Sequence, residues 1–367
     1  MHIVYDVRNY GGTHGGIARY VTELASEMAR MGDADVTFLA PIFSEPLFCK
    51  LSQVRLVGRY VRPIRHGRRL ASEINGILAR RWLRALSPEV VHEVFYYRKS
   101  GNTRKARTVV TVYDMIDEKC SDLSGRNDSV RHRWDRSIKA DAIRRAGHVI
   151  CISASTRDDV LELLDVDPKK VSVVYLGCRV PGQFVGRRLV AEPYLLYVGN
   201  REGYKNFATL FRAYASSTRL RRDFRLVCFG GSSFSEDERS MIGASGIEGN
   251  ALIQLRGGDY VLSNLYTHAS ALIYPSLYEG FGLPALEAMA HGCPTVCSNT
   301  SSLPEVVGAA AELFDPHDVE AFVYAMERVV FSDARTTALR EAGRKRAELF
   351  SWASCARKTR GIYEAIV

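Results

Sequence analysis

Two glutamates and a glycine-rich turn share one short segment in the second half of the chain. Glu279 and Glu287 lie eight residues apart, with Gly-Phe-Gly-Leu-Pro near the start of the interval. Pro284 suits a first helical position and Gly292 suits the residue beyond the last turn, which predicts a helix over 284–291. The amino terminus of that helix would face the Gly-Phe-Gly turn, where N–H groups and the helix dipole favour an anion. The segment therefore combines two carboxylates with a possible anion site.

The spacing of the two glutamates bears on what they could do. Eight helical residues span about 12 Å at 1.5 Å each, which is longer than the roughly 5 Å or 6.5–9.5 Å between the two carboxyls of glycoside hydrolases. Contacts with sugar hydroxyls therefore fit the spacing better than hydrolysis. A plainer alternative stays open, in which Glu279 is a solvated loop acid and Glu287 a surface helix residue.

A second glycine-rich turn precedes the first predicted helix. Two Gly-Gly pairs, the second at Gly15 and Gly16, stand between an apolar run at 3–7 and a helical pattern over 17–31 that Gly32 would end. Glycine permits close approach of the backbone, and a following helix offers its N–H groups, so a phosphate or a sugar would fit here. The pattern is neither a Walker loop nor Gly-x-Gly-x-x-Gly, so a simple tight turn is an equal alternative.

The elements that must position these segments alternate along the chain. Short apolar, β-branched runs are separated by helical stretches, a pattern typical of parallel sheets. The stretch 177–193 gathers Gly and Pro without either periodicity, which predicts an interdomain linker. We therefore predict an α/β protein of two doubly wound domains, 1–178 and 194–350, joined by a linker over 179–193 and facing a shared cleft. Residues 351–367 are expected to form a C-terminal helix that packs back on the first domain.

The net charge of +9 lies entirely in the first half of the chain. Residues 1–180 hold 30 Lys and Arg against 21 Asp and Glu, whereas residues 181–367 hold 20 against 20. The segment 55–84 carries nine arginines and one carboxylate, and its apolar residues recur near helical spacing at Leu70, Ile74, Ile77, Leu78, Trp82 and Ala85. A basic amphipathic helix of this kind suits an anionic membrane or a lipid diphosphate. An ordinary domain helix with a solvated basic face is the equal alternative.

Composition narrows the class of protein and its setting. The 367 residues are 46% hydrophobic and 25% charged, which excludes a disordered or fibrous chain. The eight cysteines are thinly spread and form no Cys-x-x-Cys pair, so we expect reduced thiols and no zinc site. The start of the chain lacks the features of a signal peptide, and no apolar run reaches about eighteen residues. We therefore expect a cytoplasmic protein.

Taken together, these segments resemble those of the family 4 retaining glycosyltransferases, which have the GT-B fold of two Rossmann-like domains. The interval from Glu279 to Glu287 is similar to the E-x7-E signature of the family. Further similarities lie at Gly15 and Gly16, at 110–116, at 197–206 and at 298–306 with the Asp-Pro that follows. The resemblance covers nearly the whole chain, so it implies the GT-B fold and a sugar transfer.

The resemblance also implies roles for individual residues. Arg201 and Lys205 would bind the donor diphosphate, where two cations can neutralise a leaving group without a metal. Glu279 would hold hydroxyls of the donor sugar, and Glu287 would hold the ribose of the nucleotide. Further contacts with the donor are expected from Gly15, Gly16, Gly199, Phe281, Gly282, Leu283 and Leu303.

One position departs from the family. Many members have His where this chain has Tyr113, close to the reacting carbon of the transferred sugar. Tyr113 and Asp114 are the candidate catalytic residues of the first domain. Because a phenol carries no positive charge at neutral pH, we expect Asp114 or the Tyr113 backbone to serve the sugar rather than the phenol. His14, His92 and His148 are nearby alternatives, although a lone histidine is more often structural.

These implications combine into one prediction and two alternatives. The chain is expected to transfer a hexose, mannose or a related deoxyhexose first, from a GDP-sugar to a hydroxyl of a glycan or polyprenyl-diphosphate-linked acceptor in surface polysaccharide synthesis. We expect the protein to use no metal or other cofactor and to bind no nucleic acid. We expect it to contact the inner face of the cytoplasmic membrane. A sugar-nucleotide epimerase would share the fold but need no acceptor, and the E-x7-E pattern argues against it. A non-catalytic protein that binds membranes or nucleic acid would explain the basic half, but not Arg201, Lys205 and Glu279.

Overall fold

The computed structural model describes residues 1–8, 15–44, 48, 51, 53–61, 68–98, 105–120, 130–179, 186–201, 203–247 and 251–367. The chain divides into two compact units. The first comprises Met1–Met115, Asp128–Gly177 and Ser351–Val367, and the second comprises Ile116–Asn127 and Cys178–Phe350. None of the helices in the described ranges is both long enough and apolar enough to cross a membrane.

The strands, in chain order, are β1 (His2–Asp6), β2 (Asp35–Phe43), β3 (Arg55–Tyr60), β4 (Val90–Glu93), β5 (Arg107–Val112), β6 (His148–Cys151), β7 (Val171–Val173), β8 (Tyr194–Val198), β9 (Arg225–Phe229), β10 (Leu252–Leu255), β11 (Ala271–Tyr274), β12 (Thr295–Ser298) and β13 (Glu312–Phe314). The helices are α1 (Gly15–Arg30), α2 (Arg68–Leu86), α3 (Ile116–Lys119), α4 (Val130–Arg145), α5 (Ala154–Leu163), α6 (Phe207–Ser216), α7 (Thr218–Asp223), α8 (Glu236–Ala244), α9 (Asp259–His268), α10 (Leu283–Ala290), α11 (Leu303–Val307), α12 (Val319–Val330), α13 (Asp333–Glu348) and α14 (Trp352–Ile366).

Each unit contains one parallel sheet. The strand order is β3-β2-β1-β4-β5-β6-β7 in the first unit and β10-β9-β8-β11-β12-β13 in the second. Every neighbouring pair runs parallel. Both orders reverse direction at the first strand of the unit, β1 or β8, which is the topology of a doubly wound sheet. The predicted fold class, α/β with two doubly wound sheets, is confirmed.

The first helix follows its predicted pattern closely. α1 begins two residues before the predicted start, and Gly32, at a left-handed φ of +80°, donates its N–H to the Ala29 carbonyl over 3.1 Å. The side chains that it buries at 1% exposure or less are those of Ala18, Tyr20, Val21, Leu24, Ala25 and Met28. A helical face read from the sequence therefore packs on the first sheet.

The second helix packs on the first sheet through one face and leaves part of its apolar face exposed. Asn75, Ala79 and Leu83 face the sheet, whereas Ile74 and Ile77, two of the apolar residues at helical spacing, are 38% and 60% exposed. Ala79 and Leu83 pack in one cluster with residues of β1, β2 and β4. Ile74 and Ile77 therefore lie outside the packed face of this helix, and Asn75 is buried in it instead.

Asn75 is acceptable inside because both ends of its amide find backbone partners. Its Nδ2 donates to the carbonyls of Arg8 and Ile42 over 2.5 and 3.0 Å, and its Oδ1 accepts from the Ile42 N–H over 2.9 Å. A satisfied polar group costs little to bury, so one amide decides which helical face meets the sheet. The first part of the arginine-rich segment, residues 55–60, forms the edge strand β3.

A chain of buried polar groups attaches α14 to the first sheet. Nδ1 of His92 lies 2.5 Å from the Tyr363 hydroxyl, and Nε2 lies 2.7 Å from Oγ1 of Thr111. The Tyr20 hydroxyl is 3.0 Å from the same Thr111 oxygen, and Tyr363 donates to the Tyr5 hydroxyl over 3.3 Å. Burial lowers the pKa of His92 to about 3, so the ring is neutral and can both donate and accept. His92 is therefore structural.

The buried imidazole predicts a specific loss of stability in acid. The unfolded state binds a proton at His92 near its ordinary pKa of 6.5, whereas the folded state does so only near 3, so stability is present above pH 6.5 and falls as the pH drops. Between pH 7 and pH 5 this group alone lowers the free energy of unfolding by about 2 kcal/mol. Urea unfolding of the wild type and of His92→Gln across this range measures the difference, because all other histidines are shared. Parallel pH profiles for the two proteins would contradict the prediction.

Core packing fixes where one loop of the second unit ends. α6 begins at Phe207, which is 1% exposed and packs in one cluster with Phe211 on the same helix and Phe322 on α12. The rings of Tyr197 on β8 and Phe207 meet edge to face with centroids 5.3 Å apart. Because Lys205 lies two residues before Phe207, this packing also restricts the position of the Lys205 backbone.

Candidate active site

Several loops converge at the carboxyl edge of the second sheet, where ligands of doubly wound sheets bind. The loop after β8 starts at Gly199, whose φ is +138° and whose N–H donates to the Phe229 carbonyl over 3.0 Å. This bond fixes the loop to the end of β9. The predicted site residues Lys205, Glu279 and Gly282 lie on the loops after β8 and β11.

Lys205 and Glu279 form an ion pair. Nζ of Lys205 lies 2.6 Å from Oε1 of Glu279, and the side chains are only 17% and 9% exposed. Nζ also donates to the Tyr274 hydroxyl over 3.4 Å and lies 5.0 Å from the ring centre of Tyr204. Burial, with the Glu279 charge beside it, raises the pKa of Tyr274 well above its ordinary value, so the phenol keeps its proton. One cation, one anion and one hydroxyl are therefore held together, largely shielded from water, where charges interact strongly.

The loop after β12 holds Glu279 in place through its backbone. The Glu279 N–H donates to Oγ of Ser301 over 2.8 Å, and Oγ of Ser302 donates to the Glu279 carbonyl over 2.8 Å. Ser301 has a left-handed φ of +49°, so the turn directs both hydroxyls to the same neighbour. In the sequence, 298–306 stands out only through its similarity to the family. In the structure, Ser301 and Ser302 in this segment hold the backbone of Glu279.

Asn206 joins the loop that carries Lys205 to two other loops. Its Nδ2 donates to the Pro275 carbonyl over 3.2 Å and to the Pro316 carbonyl over 3.1 Å, while its own φ of +57° is left-handed. The Leu277 N–H adds a bond of 2.7 Å to the Tyr204 carbonyl. Asparagine tolerates this backbone and offers two donors, which explains the residue type. The sequence analysis missed it, because the partner carbonyls lie 69 and 110 residues away.

Gly282 allows the chain to enter α10. Its φ is +97°, and a Cβ added there would lie 2.6 Å from Cδ2 of the fully buried Leu303. The observed helix, Leu283–Ala290, agrees with the predicted one within one residue. The side chains of Phe281 and Leu303 are buried, Phe281 against Phe350 with ring centroids 5.9 Å apart. If this segment contacts a donor as predicted, its backbone amides rather than these two side chains would have to make the contacts.

Glu287 is the second glutamate of the pair and lies on α10. Its Oε2 accepts a hydrogen bond from the Tyr266 hydroxyl over 3.3 Å, and burial raises the pKa of that phenol well above its ordinary value. Glu287 is half-buried, and Glu279 is buried. Neither glutamate is the solvated residue of the plainer alternative.

Arg201 has partners other than those of Lys205. Its Nε lies 2.7 Å from Oε1 of Glu238 on α8, and its side chain is 3% exposed. The structure therefore places the two predicted diphosphate cations on one loop but gives them different carboxylates. Glu238 did not stand out in the sequence, because nothing local links it to a residue 37 positions earlier.

In the first unit the structure separates Tyr113 from Asp114. The Tyr113 hydroxyl donates to the Val94 carbonyl over 3.0 Å, and the ring packs edge to face on Tyr20 at 5.6 Å. Asp114 is 37% exposed in its side chain and lies 3.7 Å from Nζ of Lys139, a buried lysine on α4 that the sequence analysis missed. The phenol is thus directed into the unit, whereas the carboxylate stays accessible.

The remaining predicted residues of the first unit lie at the start of α1. Gly15 and Gly16 are its first two residues, while 9–14, which include the other glycines of the turn and His14, lie outside the described residues. His148 pairs with Oγ of Ser172 over 2.8 Å, a structural contact. Within the described ranges, no cluster of three or more histidine, cysteine or acidic side chains is arranged to hold a metal ion.

Comparison with known proteins shows which protein family this chain resembles. Residues 14–180 match the sequence profile of Glycosyltransferase Family 4, and residues 185–346 match that of Glycosyl transferases group 1. The chain is 31% identical to the O-antigen chain mannosyltransferase B of Escherichia coli over 278 residues, which are 72% of this chain and 71% of that protein. It is 31% identical to the MMP alpha-(1->4)-mannosyltransferase of Mycolicibacterium hassiacum over 61% of this chain and 55% of that protein.

Solved structures give the same fold. A glycosyltransferase from Rickettsia africae superposes with a TM-score of 0.74 at 17% identity, covering 100% of this chain and 98% of that one. HepE from Anabaena, in complex with UDP and glucose, superposes with a TM-score of 0.74 at 16% identity, covering 100% of both chains. At these identities the likeness establishes the fold, which is GT-B.

Proposed function

The chain belongs to the family 4 glycosyltransferases, and from this premise we propose that it transfers a hexose, with retention, from a nucleotide-diphosphate sugar to a hydroxyl of a glycan or lipid-linked acceptor in surface polysaccharide synthesis. The observation that carries the proposal is the ion pair of Lys205 and Glu279 at the carboxyl edge of the second sheet. A cation and a carboxylate this close match the two ends of such a donor, an anionic diphosphate and a hydroxylated sugar.

Each member of the pair would exchange its partner for part of the donor. The Lys205 ammonium would bind a diphosphate oxygen and stabilise the negative charge that develops as the sugar leaves, supplying the charge that a metal ion supplies in other transferases. Glu279 would accept hydrogen bonds from sugar hydroxyls, with its backbone held by Ser301 and Ser302. The Tyr274 hydroxyl, which keeps its proton, would remain a donor beside that carboxylate.

The chemical step needs no nucleophile from the protein. The bond between the anomeric carbon and the diphosphate oxygen breaks first, which gives a short-lived ion pair in the site. The acceptor hydroxyl then attacks from the face that the diphosphate left, and the departing diphosphate takes the proton of that hydroxyl. Retention follows because the attacking and leaving oxygens use the same face. Asp114 of the first unit is the candidate carboxylate for contacts with the sugar.

The donor that we propose is GDP-mannose, since the two relatives named above are mannosyltransferases. Thermal unfolding with a panel of GDP-, UDP- and dTDP-sugars tests it. We expect GDP-mannose to raise Tm more than GDP alone and more than any UDP-sugar, and mannose to appear on an added acceptor. A shift with UDP-hexoses only would overturn the donor. An isomerised free sugar with no acceptor product would favour the epimerase, and no shift with any donor would refute the proposed function.

A second part of the proposal concerns the membrane where a lipid-linked acceptor would lie. On α2, Ile77 is 60% exposed and Ile74 is 38% exposed, and Arg81 and Arg84 on the same helix are exposed. Apolar and cationic side chains together favour an anionic lipid surface. We propose that this helix contacts the cytoplasmic face of the membrane.

Vesicle binding tests the membrane contact. At about 1 kcal/mol for each arginine near an anionic surface, Arg81→Gln with Arg84→Gln should weaken binding to phosphatidylglycerol vesicles roughly 30-fold. Sedimentation with these vesicles and with neutral phosphatidylcholine vesicles measures the effect. Arg340→Gln removes an exposed charge from the second unit and serves as the control. Equal binding by all variants, or by both vesicle types, would refute the contact.

A further inference from the structure

Arg201 is anchored at every nitrogen of its guanidinium. Nε and Nη2 face the Glu238 carboxylate at 2.7 and 3.4 Å, Nη2 donates to the Ser232 carbonyl over 2.6 Å, and Nη1 donates to the Gly230 carbonyl over 3.4 Å. The guanidinium carbon lies 4.6 Å from the ring centre of Phe234. To reach a phosphate, this buried guanidinium would have to give up the Glu238 carboxylate and two carbonyls.

Glu238 serves two structures at once. Its Oε2 accepts the Ser235 N–H over 2.7 Å, while Oγ of Ser235 accepts the Glu238 N–H over 3.1 Å, a capping box that starts α8. The same carboxylate pairs with Arg201. The loop after β9, with Gly230 and Gly231 both at left-handed φ, is therefore fixed between the guanidinium and the helix. A Cβ on Gly231 would lie 3.0 Å from Nη1, so the fit is close.

Lys205 lies between two anchors of this loop. On one side Arg201 holds the segment to the loop after β9, and on the other Asn206 holds it to the Pro275 and Pro316 carbonyls. The short turn 203–205 lies between the two anchors in the sequence and carries the ammonium that faces Glu279. A displacement of either anchor would therefore move Nζ.

We infer that Arg201 is a positioning residue, which with Glu238 sets the place of Lys205 rather than contacting the donor itself. This inference rests on the proposed function, in which Lys205 meets the donor diphosphate. It replaces the role that the family resemblance implies for Arg201. The two roles predict opposite results when Glu238 loses its charge. A positioning guanidinium loses its anchor and donor binding weakens, whereas a phosphate-binding guanidinium is released toward the donor and binding holds or tightens.

The experiment compares Arg201→Lys, Glu238→Gln and the double variant for donor KM, kcat and the Kd of GDP. We expect each single variant to raise donor KM and the GDP Kd about tenfold, with kcat changed less, because the ammonium of Lys205 is still present once the donor is bound. The double variant should bind the donor and GDP no more weakly than the weaker of the two single variants. Each substitution removes the same interaction, the one between Arg201 and Glu238. Glu236→Gln removes an exposed charge from the first turn of α8 and should match the wild type.

Three outcomes would overturn the inference. Glu238→Gln that keeps or tightens donor binding while Arg201→Lys loses it would place the guanidinium on the donor. Additive losses in the double variant would show that the two residues act separately, and unchanged KM in both single variants would show that neither positions Lys205. Thermal unfolding of each variant identifies loss of fold, and Arg201→Gln replaces a variant that does not fold. If the wild type and Glu236→Gln also bind no donor, the proposed function fails instead.

Discussion

Lys205→Ala is expected to lower kcat/KM for sugar transfer about 100- to 1000-fold. Removal of one preorganised group that stabilises developing negative charge typically costs this much. The loss should be large because the ammonium is 17% exposed and acts where water offers little competing solvation. The substitution also leaves the Glu279 carboxylate buried without the cation 2.6 Å away. The substitution should therefore weaken binding of the diphosphate and also disturb the position of Glu279, which would hold the sugar.

Steady-state kinetics with the donor found in the panel measures the effect. Lys205→Arg keeps the charge but changes its shape, so it should retain part of the activity. Lys345→Ala removes an exposed lysine from α13 and should behave as the wild type. Full turnover by Lys205→Ala would show that the diphosphate is neutralised elsewhere, and the role proposed for the ion pair would be wrong.

Gly282→Ala is expected to destabilise the second unit by about 2–4 kcal/mol and to reduce transfer at least tenfold. The residue has a φ of +97°, which an L side chain rarely adopts, and the new Cβ would meet Leu303 at 2.6 Å. Leu303 is fully buried, so the turn rather than the core should yield. The backbone between Glu279 and α10 would then shift, and the amides proposed to face the donor would shift with it.

Two measurements separate the effects of this substitution. Urea unfolding gives the loss of stability, and donor affinity measured where the variant is folded gives the effect on the site. Gly243→Ala is the matched control, because that glycine is inside α8, has no positive φ and has open space around it. Helix propensity predicts that the control is neutral or slightly stabilising. Wild-type stability and affinity in Gly282→Ala would contradict the close fit at Leu303.

Local patterns were enough to predict the fold and the position of α10. Apolar periodicity and Gly32 predict α1, and Pro284 with Gly292 predicts the short helix, each within two residues of the observed bounds. The alternation of strands and helices predicts both parallel sheets. Such features depend on neighbours a few residues apart, so the sequence carries them directly.

Partners far apart in the chain were not predictable in the same way. Asn75 counts as polar in any periodicity, yet its amide bonds to the backbone of Arg8 and Ile42 place it on the inner face of α2. In the sequence, Arg201 and Lys205 are two equivalent cations. In the structure, Glu238, 37 residues after Arg201, pairs with the Arg201 guanidinium. The contacts of Lys139 with Asp114 and of Asn206 with Pro316 also join residues that are far apart in the chain. Long-range pairing decides the role of a polar residue, and a pattern of residue types does not contain it.

The central claim is that Lys205 binds the donor diphosphate and Glu279 binds the sugar. Calorimetric binding of guanosine, GDP and GDP-mannose to the wild type, Lys205→Ala and Glu279→Gln tests it most directly. We expect Lys205→Ala to abolish the affinity gained from guanosine to GDP. Glu279→Gln should keep that gain and lose only the further gain from GDP to GDP-mannose. If both variants bind all three ligands as the wild type does, the ion pair is not the donor site of this glycosyltransferase.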